Sequence, residues 1–153
     1  MKTMDINGLV VQGLVVRTCN ADEMQSDTAR IGALWADFGV HIASRMAPGA
    51  RVYGVYHRYE SDAQGAFDVL AGTDALMPAA DNAIALSRVD IAAGPYLVFG
   101  APGAMPQAVV EAWGRVWRYF SDPLCPHKRA YTTDFECYGP DGRTEIFIAV
   151  ARP

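Results

Sequence analysis

Tyr131-Thr132-Thr133-Asp134-Phe135-Glu136-Cys137-Tyr138 runs through Gly139-Pro140-Asp141-Gly142 and Arg143 into Thr144-Glu145-Ile146-Phe147-Ile148-Ala149-Val150. Two runs rich in β-branched and aromatic residues flank a cluster of turn formers. The segment therefore reads as two strands, Tyr131 to Tyr138 and Thr144 to Val150, joined by a turn. Side chains alternate faces along a strand, so Asp134, Glu136 and Tyr138 share one face and Phe135 and Cys137 the other. Glu136 then lies either on a solvated face or against a cavity. In the second case its charge needs a partner, and protein cations are sparse nearby in sequence. A ligand cation fills that role, helped by aromatic faces at roughly 0.5–2 kcal/mol each.

Upstream, Met105-Pro106 opens a helix with Pro near its first turn. Val109, Trp113, Val116, Trp117 and Phe120 form its apolar stripe, and Pro123 and Pro126 end it. Tyr96 to Gly100 and Ile84 to Ile91 read as strands separated by a Gly94-Pro95 turn. The first half follows the same order. Leu9 to Val16 is a strand and Arg17 to Asp27 a polar loop. Ser26, Asp27 and Thr28 offer N-caps for a helix carrying Ile31, Leu34, Trp35 and Phe38 at helical spacing, with Gly39 as its stop. Arg51 to Tyr59 and Phe67 to Ala71 form a hairpin around the turn-rich Ser61 to Gly65, and Thr73 to Asn82 is a linker. Strand, helix, strand, strand thus occurs twice, over about 9–72 and 84–150. The spacing predicts an α+β fold in one domain, 1–153, built of duplicated modules, with a mostly antiparallel sheet and both helices on one face. The seam between the halves is the natural place for a ligand cleft.

Composition narrows the function. The 153 residues are 51% hydrophobic and 20% charged, ordinary for a globular chain. A net charge of −4 and a pI near 5.2 argue against direct nucleic-acid binding, which needs a basic stripe. Cys19, Cys125 and Cys137 show no metal spacing and suit a reducing compartment. His41, His57 and His127 show no ligand spacing either. The N-terminus does not read as a signal peptide and no run is long enough for a membrane span. A cytoplasmic protein with no metal, no cofactor and no membrane partner is expected. There is no GxSxG, Walker A or GxGxxG motif.

Aromatic residues are the other signal. Tyr53, Tyr56 and Tyr59 crowd one strand, and alternation puts Tyr53 and Tyr59 on one face and Tyr56 on the other. Glu60 and Asp62 at that strand's end are either a polar turn or rim acids, with Glu60 a candidate partner carboxylate for Glu136.

The chain resembles the GyrI-like small-molecule-binding domains, which also occur as effector-binding domains of AraC-type regulators, and within them the stand-alone integron-cassette and YdeE-like branch. The residues that carry the resemblance include Arg17 to Glu23, Ile31 to Phe38, Val52 to Tyr56, Tyr59 to Asp62, Ile91 to Tyr96, Met105 to Val109, Trp113 to Trp117 and Tyr131 to Glu136. It implies the duplicated fold and a pocket between the halves for hydrophobic, often cationic compounds. An acid on the strand matching Tyr131 to Tyr138 commonly faces the ligand in that family, which carries over to Glu136. Wall positions carry over to Trp35, Tyr53, Trp113 and Tyr131; Glu60 and Phe67 are candidates at the rim, and Trp117 is a further ligand-binding candidate. Phe67 departs from the Tyr expected there, which removes one polar contact. No helix-turn-helix accompanies the domain, so sensing or sequestering a multidrug-type ligand is expected rather than regulation of DNA.

Three functions follow as expectations. The first is a non-enzymatic binder of an aromatic, cationic small molecule. The second, also implied by relatives in this fold, is a hydrolase of strained cyclopropane-containing aromatic compounds, with Glu136 and either Glu60 or a Tyr hydroxyl as general base or acid. The third is a protein-interaction module whose partner is gyrase or a transcription regulator.

Overall fold

A computed structural model describes residues 1–79 and 83–153. The strands are β1 (Lys2–Ile6), β2 (Leu9–Thr18), β3 (Val52–His57), β4 (Phe67–Thr73), β5 (Ser87–Ile91), β6 (Gly94–Gly100), β7 (Thr133–Tyr138) and β8 (Thr144–Ala149). The helices are α1 (Asn20–Glu23), α2 (Ile31–His41) and α3 (Gln107–Ser121). All strands join one curled antiparallel sheet in the order β1-β6-β8-β7-β3-β4-β2-β5. The fold is the expected α+β duplication, except that each module carries two strands before its helix where one was expected: β1 and β2 in the first, β5 and β6 in the second.

The order shows how the modules interlock. β3 and β7 pair at the centre, where the modules meet. At the rims the leading strands cross over: β1 of the first module pairs with β6 of the second, and β5 of the second pairs with β2 of the first. Each module thus needs a strand from the other to complete its edge. Lys2–Ile6 reads as an unremarkable N-terminus in sequence, because what makes it a strand is a partner nearly a hundred residues away. Ile84 to Ile91 shortens to Ser87–Ile91, and the end of the expected linker, residues 80–82, lies outside the described residues.

Both sheet faces are apolar. On one, Tyr53, Val55, Leu70, Tyr96, Phe135, Cys137 and Phe147 pack together, with Phe135 stacked on Phe147 at 4.5 Å. On the other, Leu34, Phe38 and Ile42 of the α2 region cover Phe67, Val69 and Ala71, while Ala108, Ala112 and Val116 of α3 cover Leu97, Phe99, Ile146 and Ile148. Small residues on α3 let it sit close to the sheet. Its Trp113 and Trp117 turn toward the space between the helices, so only part of the predicted stripe is core.

Helix α2 begins later than Ser26, Asp27 and Thr28 suggest, and none of them caps it. Its N-cap, Arg30, makes no side-chain cap bond. Glu23 does that work from upstream: its carboxylate accepts the backbone N–H of Arg30 at 2.9 Å and of Ile31 at 3.1 Å, and the Thr18 hydroxyl at 2.6 Å. A carboxylate at a helix N-terminus satisfies free donors and favours the helix dipole.

Candidate functional site

Over the β3–β7 seam the two helices stand apart and leave a cavity of 760 Å³. Its floor is the helix-side face of the central pair, where Gly54 lies opposite Glu136 and Val52 opposite Tyr138. Trp35 and Phe38 from α2 form one wall and Val109, Trp113 and Trp117 from α3 the other. Tyr56 stands 4.9 Å from Trp113 in an edge contact, and Trp35 meets Tyr138 at 5.7 Å.

Glu136 is 3% exposed. Its Oε2 accepts the Tyr56 hydroxyl and the Trp113 indole N–H, both at 2.7 Å, and its Oε1 accepts the Tyr138 hydroxyl at 2.8 Å. All three donors are neutral. Burial pushes the Glu136 carboxyl above the ordinary carboxylate range, against the pull of Trp113, Tyr56 and Tyr138. Burial and the neighbouring carboxylate also raise Tyr56 and Tyr138 well above the usual phenol range, so both stay protonated and donate.

Two residues along the same face, Asp134 is fully buried yet differently served. Arg129 pairs with its Oδ2 at 2.7 Å, Tyr59 donates to the same oxygen at 2.5 Å, and the Ala149 N–H donates to Oδ1 at 2.8 Å. Of the two neighbouring acids, Asp134 has a cation and Glu136 has none among the described residues.

Gly54 makes this geometry possible. A Cβ there would lie 2.7 Å from Glu136 Oε1 and 3.1 Å from Trp35 Cζ2. Neither neighbour yields easily, because one is tied by three hydrogen bonds and the other packs on Phe38 and Tyr138. Gly54→Ala is expected to cost roughly 1–3 kcal/mol of stability by overpacking and to shift Trp35, read as a change in Trp emission. An unchanged spectrum and melting curve would show that the floor has slack.

Of the sequence candidates, the structure brings Glu136, Trp35, Trp113, Trp117 and Phe67 to the cavity. Three others are corrected. Tyr53 points to the opposite sheet face, buried against Phe135. Tyr131 does not line the cavity: it packs against Tyr59 and the Arg129 guanidinium from a left-handed backbone, φ 53°. Glu60 is exposed in the turn after β3, so it forms no carboxylate pair with Glu136. The second acid at the cavity wall, besides Glu136, is Glu23. Tyr56, Tyr59, Tyr138 and Arg129 were missed as lining residues. Alternation placed Tyr138 beside Glu136, and that signal was sufficient to find it. Tyr59 escapes alternation because β3 ends at His57 and Arg58 takes φ 52°, which turns the next residue to the helix side.

Two modules, a shared antiparallel sheet and helices flanking a cavity at the seam make the GyrI-like fold. Within it the chain belongs to the Cass2 family of integron-associated effector binding proteins, which it matches over residues 5–150. It is 47% identical to an integron cassette protein from the mobile metagenome of Vibrio cholerae, with a TM-score of 0.90 over 98% of this chain and 95% of that one. The fold also matches a protein solved with tetraphenylphosphonium bound (20% identity, TM-score 0.71, 98% and 93% covered). A transcription regulation protein from Staphylococcus aureus matches similarly (17% identity, TM-score 0.70, 99% and 97% covered). None of the curated proteins compared matches significantly. Among the described residues no helix is long and apolar enough to cross a membrane.

Proposed function

We propose that the seam cavity holds a hydrophobic, aromatic organic cation, with Glu136 as its counter-ion. The observation that carries this reading is the contrast between two buried acids on one strand face. Asp134 is neutralised by Arg129, whereas Glu136 is held by neutral donors alone. An ionised carboxylate out of water is costly without an opposite charge. Donors fix its position, and an incoming cation supplies the missing charge. Trp35, Tyr56, Trp113 and Trp117 offer π-faces and edges for a flat or propeller-shaped cation. The relative solved with tetraphenylphosphonium agrees with this choice of ligand class. With both oxygens of Glu136 already accepting hydrogen bonds, the acid is arranged to hold charge rather than to activate water. That arrangement favours binding over hydrolysis.

The test is a titration of Trp fluorescence with tetraphenylphosphonium and with triphenylmethane, a neutral propeller of related shape. The cation is expected to bind at least ~10-fold more tightly, the scale of a desolvated cation–π contact. Equal affinities would overturn the charge-selective reading.

A further inference from the structure

Arg129 lines the same cavity, and its bond to Asp134 uses only part of its guanidinium. The side chain is 6% exposed, and Nη2 donates to Asp134. Nε is buried without an acceptor, and Nη1, which is less buried, donates to no group among the described residues, so it is the arm free to meet a ligand. The planar group is held by rings: the Tyr131 centroid lies 4.5 Å from it, and those of Tyr59 and Phe120 lie 5.9 Å away. A guanidinium carries five donors in a fixed fork, so this one keeps hydrogen-bonding capacity to spare. Because Asp134 balances its charge, it does not repel a cation bound nearby.

We infer that the cavity has a second polar subsite at Arg129, which selects ligands whose aromatic frame carries a hydrogen-bond acceptor, such as a carbonyl oxygen, away from the cationic centre. This rests on the proposed role of Glu136 as the cation's counter-ion. Asp134 and Glu136 stand two residues apart on one strand face, about 7 Å along the strand. A para substituent on a phenyl ring attached to the cationic centre spans that separation.

The test uses two cations of equal charge. Tetraphenylphosphonium has no acceptor, and (4-acetylphenyl)triphenylphosphonium differs by one acetyl group, whose carbonyl oxygen is the acceptor. The wild-type protein is expected to bind the acetyl compound ~10-fold more tightly, as for a bond to a charged donor. The preference is expected to vanish in R129M/D134N, which removes the ion pair without stranding either charge, so that both phosphonium ions bind this variant alike whatever its affinity for tetraphenylphosphonium. Should that variant fail to fold, R129K serves. It keeps a cation for Asp134 but loses the fork, and the preference is expected to shrink. Equal wild-type affinities, or a preference that survives loss of the fork, would overturn the inference while leaving the Glu136 reading intact. If neither phosphonium binds, both readings fail.

Discussion

In Glu136→Gln, affinity for tetraphenylphosphonium is expected to fall about 100-fold, while the ligand-free protein melts at a higher temperature than the wild type at neutral and alkaline pH. The binding loss follows from deleting one member of a desolvated charge pair, an effect of roughly 2–5 kcal/mol; 100-fold lies near its lower end. The stability gain follows from the raised carboxyl. When an acid's native value lies above its unfolded value, the folded protein binds more protons across the interval between them. The associated stability is therefore complete below the unfolded value and is lost as pH rises through the native one. Gln has no such loss. The difference in melting temperature should shrink to little as pH falls below the ordinary carboxylate range. Binding has the opposite slope: wild-type affinity for the cation falls as acid protonates Glu136, and the variant's affinity is flat. Triphenylmethane should bind both proteins alike. A variant that loses both ligands equally, or keeps the cation undiminished, would remove Glu136 from the role.

The acid itself was legible in the sequence. Alternation along Asp134-Phe135-Glu136-Cys137-Tyr138 put three polar groups on one face, and β7 keeps that register against β3. Two things were not legible. The first is which face of the sheet the helices cover. β3 and β7 are central strands, buried on both sides, so a pattern of apolar residues cannot distinguish Tyr53 from Tyr56. Only the packing of α2 and α3 decides it. The second is any geometry set by a single backbone angle or a distant partner. Arg58 and Tyr131 leave the strand conformation at left-handed positions occupied by non-glycine residues, which sequence gives little reason to expect. Glu23 caps a helix that starts eight residues later, a spacing outside the usual local capping signals. The duplication survived these local misreadings because it rests on the order of elements, which a shift of two or three residues does not disturb.

Asp134→Ala is expected to lose about 3–5 kcal/mol, the largest stability effect among the site's residues. Removing one member of a buried ion pair leaves the other charge uncompensated. For a chain of this size that corresponds to a melting temperature lower by on the order of 10 °C. Asp134 ties together three elements that sequence separates. Arg129 comes from the loop before β7, Tyr59 from the loop after β3 and the Ala149 N–H from the end of β8. Alanine leaves all three donors without this acceptor and places the Arg129 charge among Tyr59, Phe120 and Tyr131 with no counter-ion. The R129M/D134N double variant should lose less than Asp134→Ala alone, because no buried charge is stranded and Asn keeps a carbonyl for the Ala149 and Tyr59 donors. A double variant less stable than the single one would mean that the pair stabilises by mutual attraction beyond its desolvation cost. If Asp134→Ala melts like the wild type, Arg129 must find another partner or reach water, and the contrast between a satisfied Asp134 and an uncompensated Glu136 would no longer support the choice of Glu136 as the ligand's counter-ion.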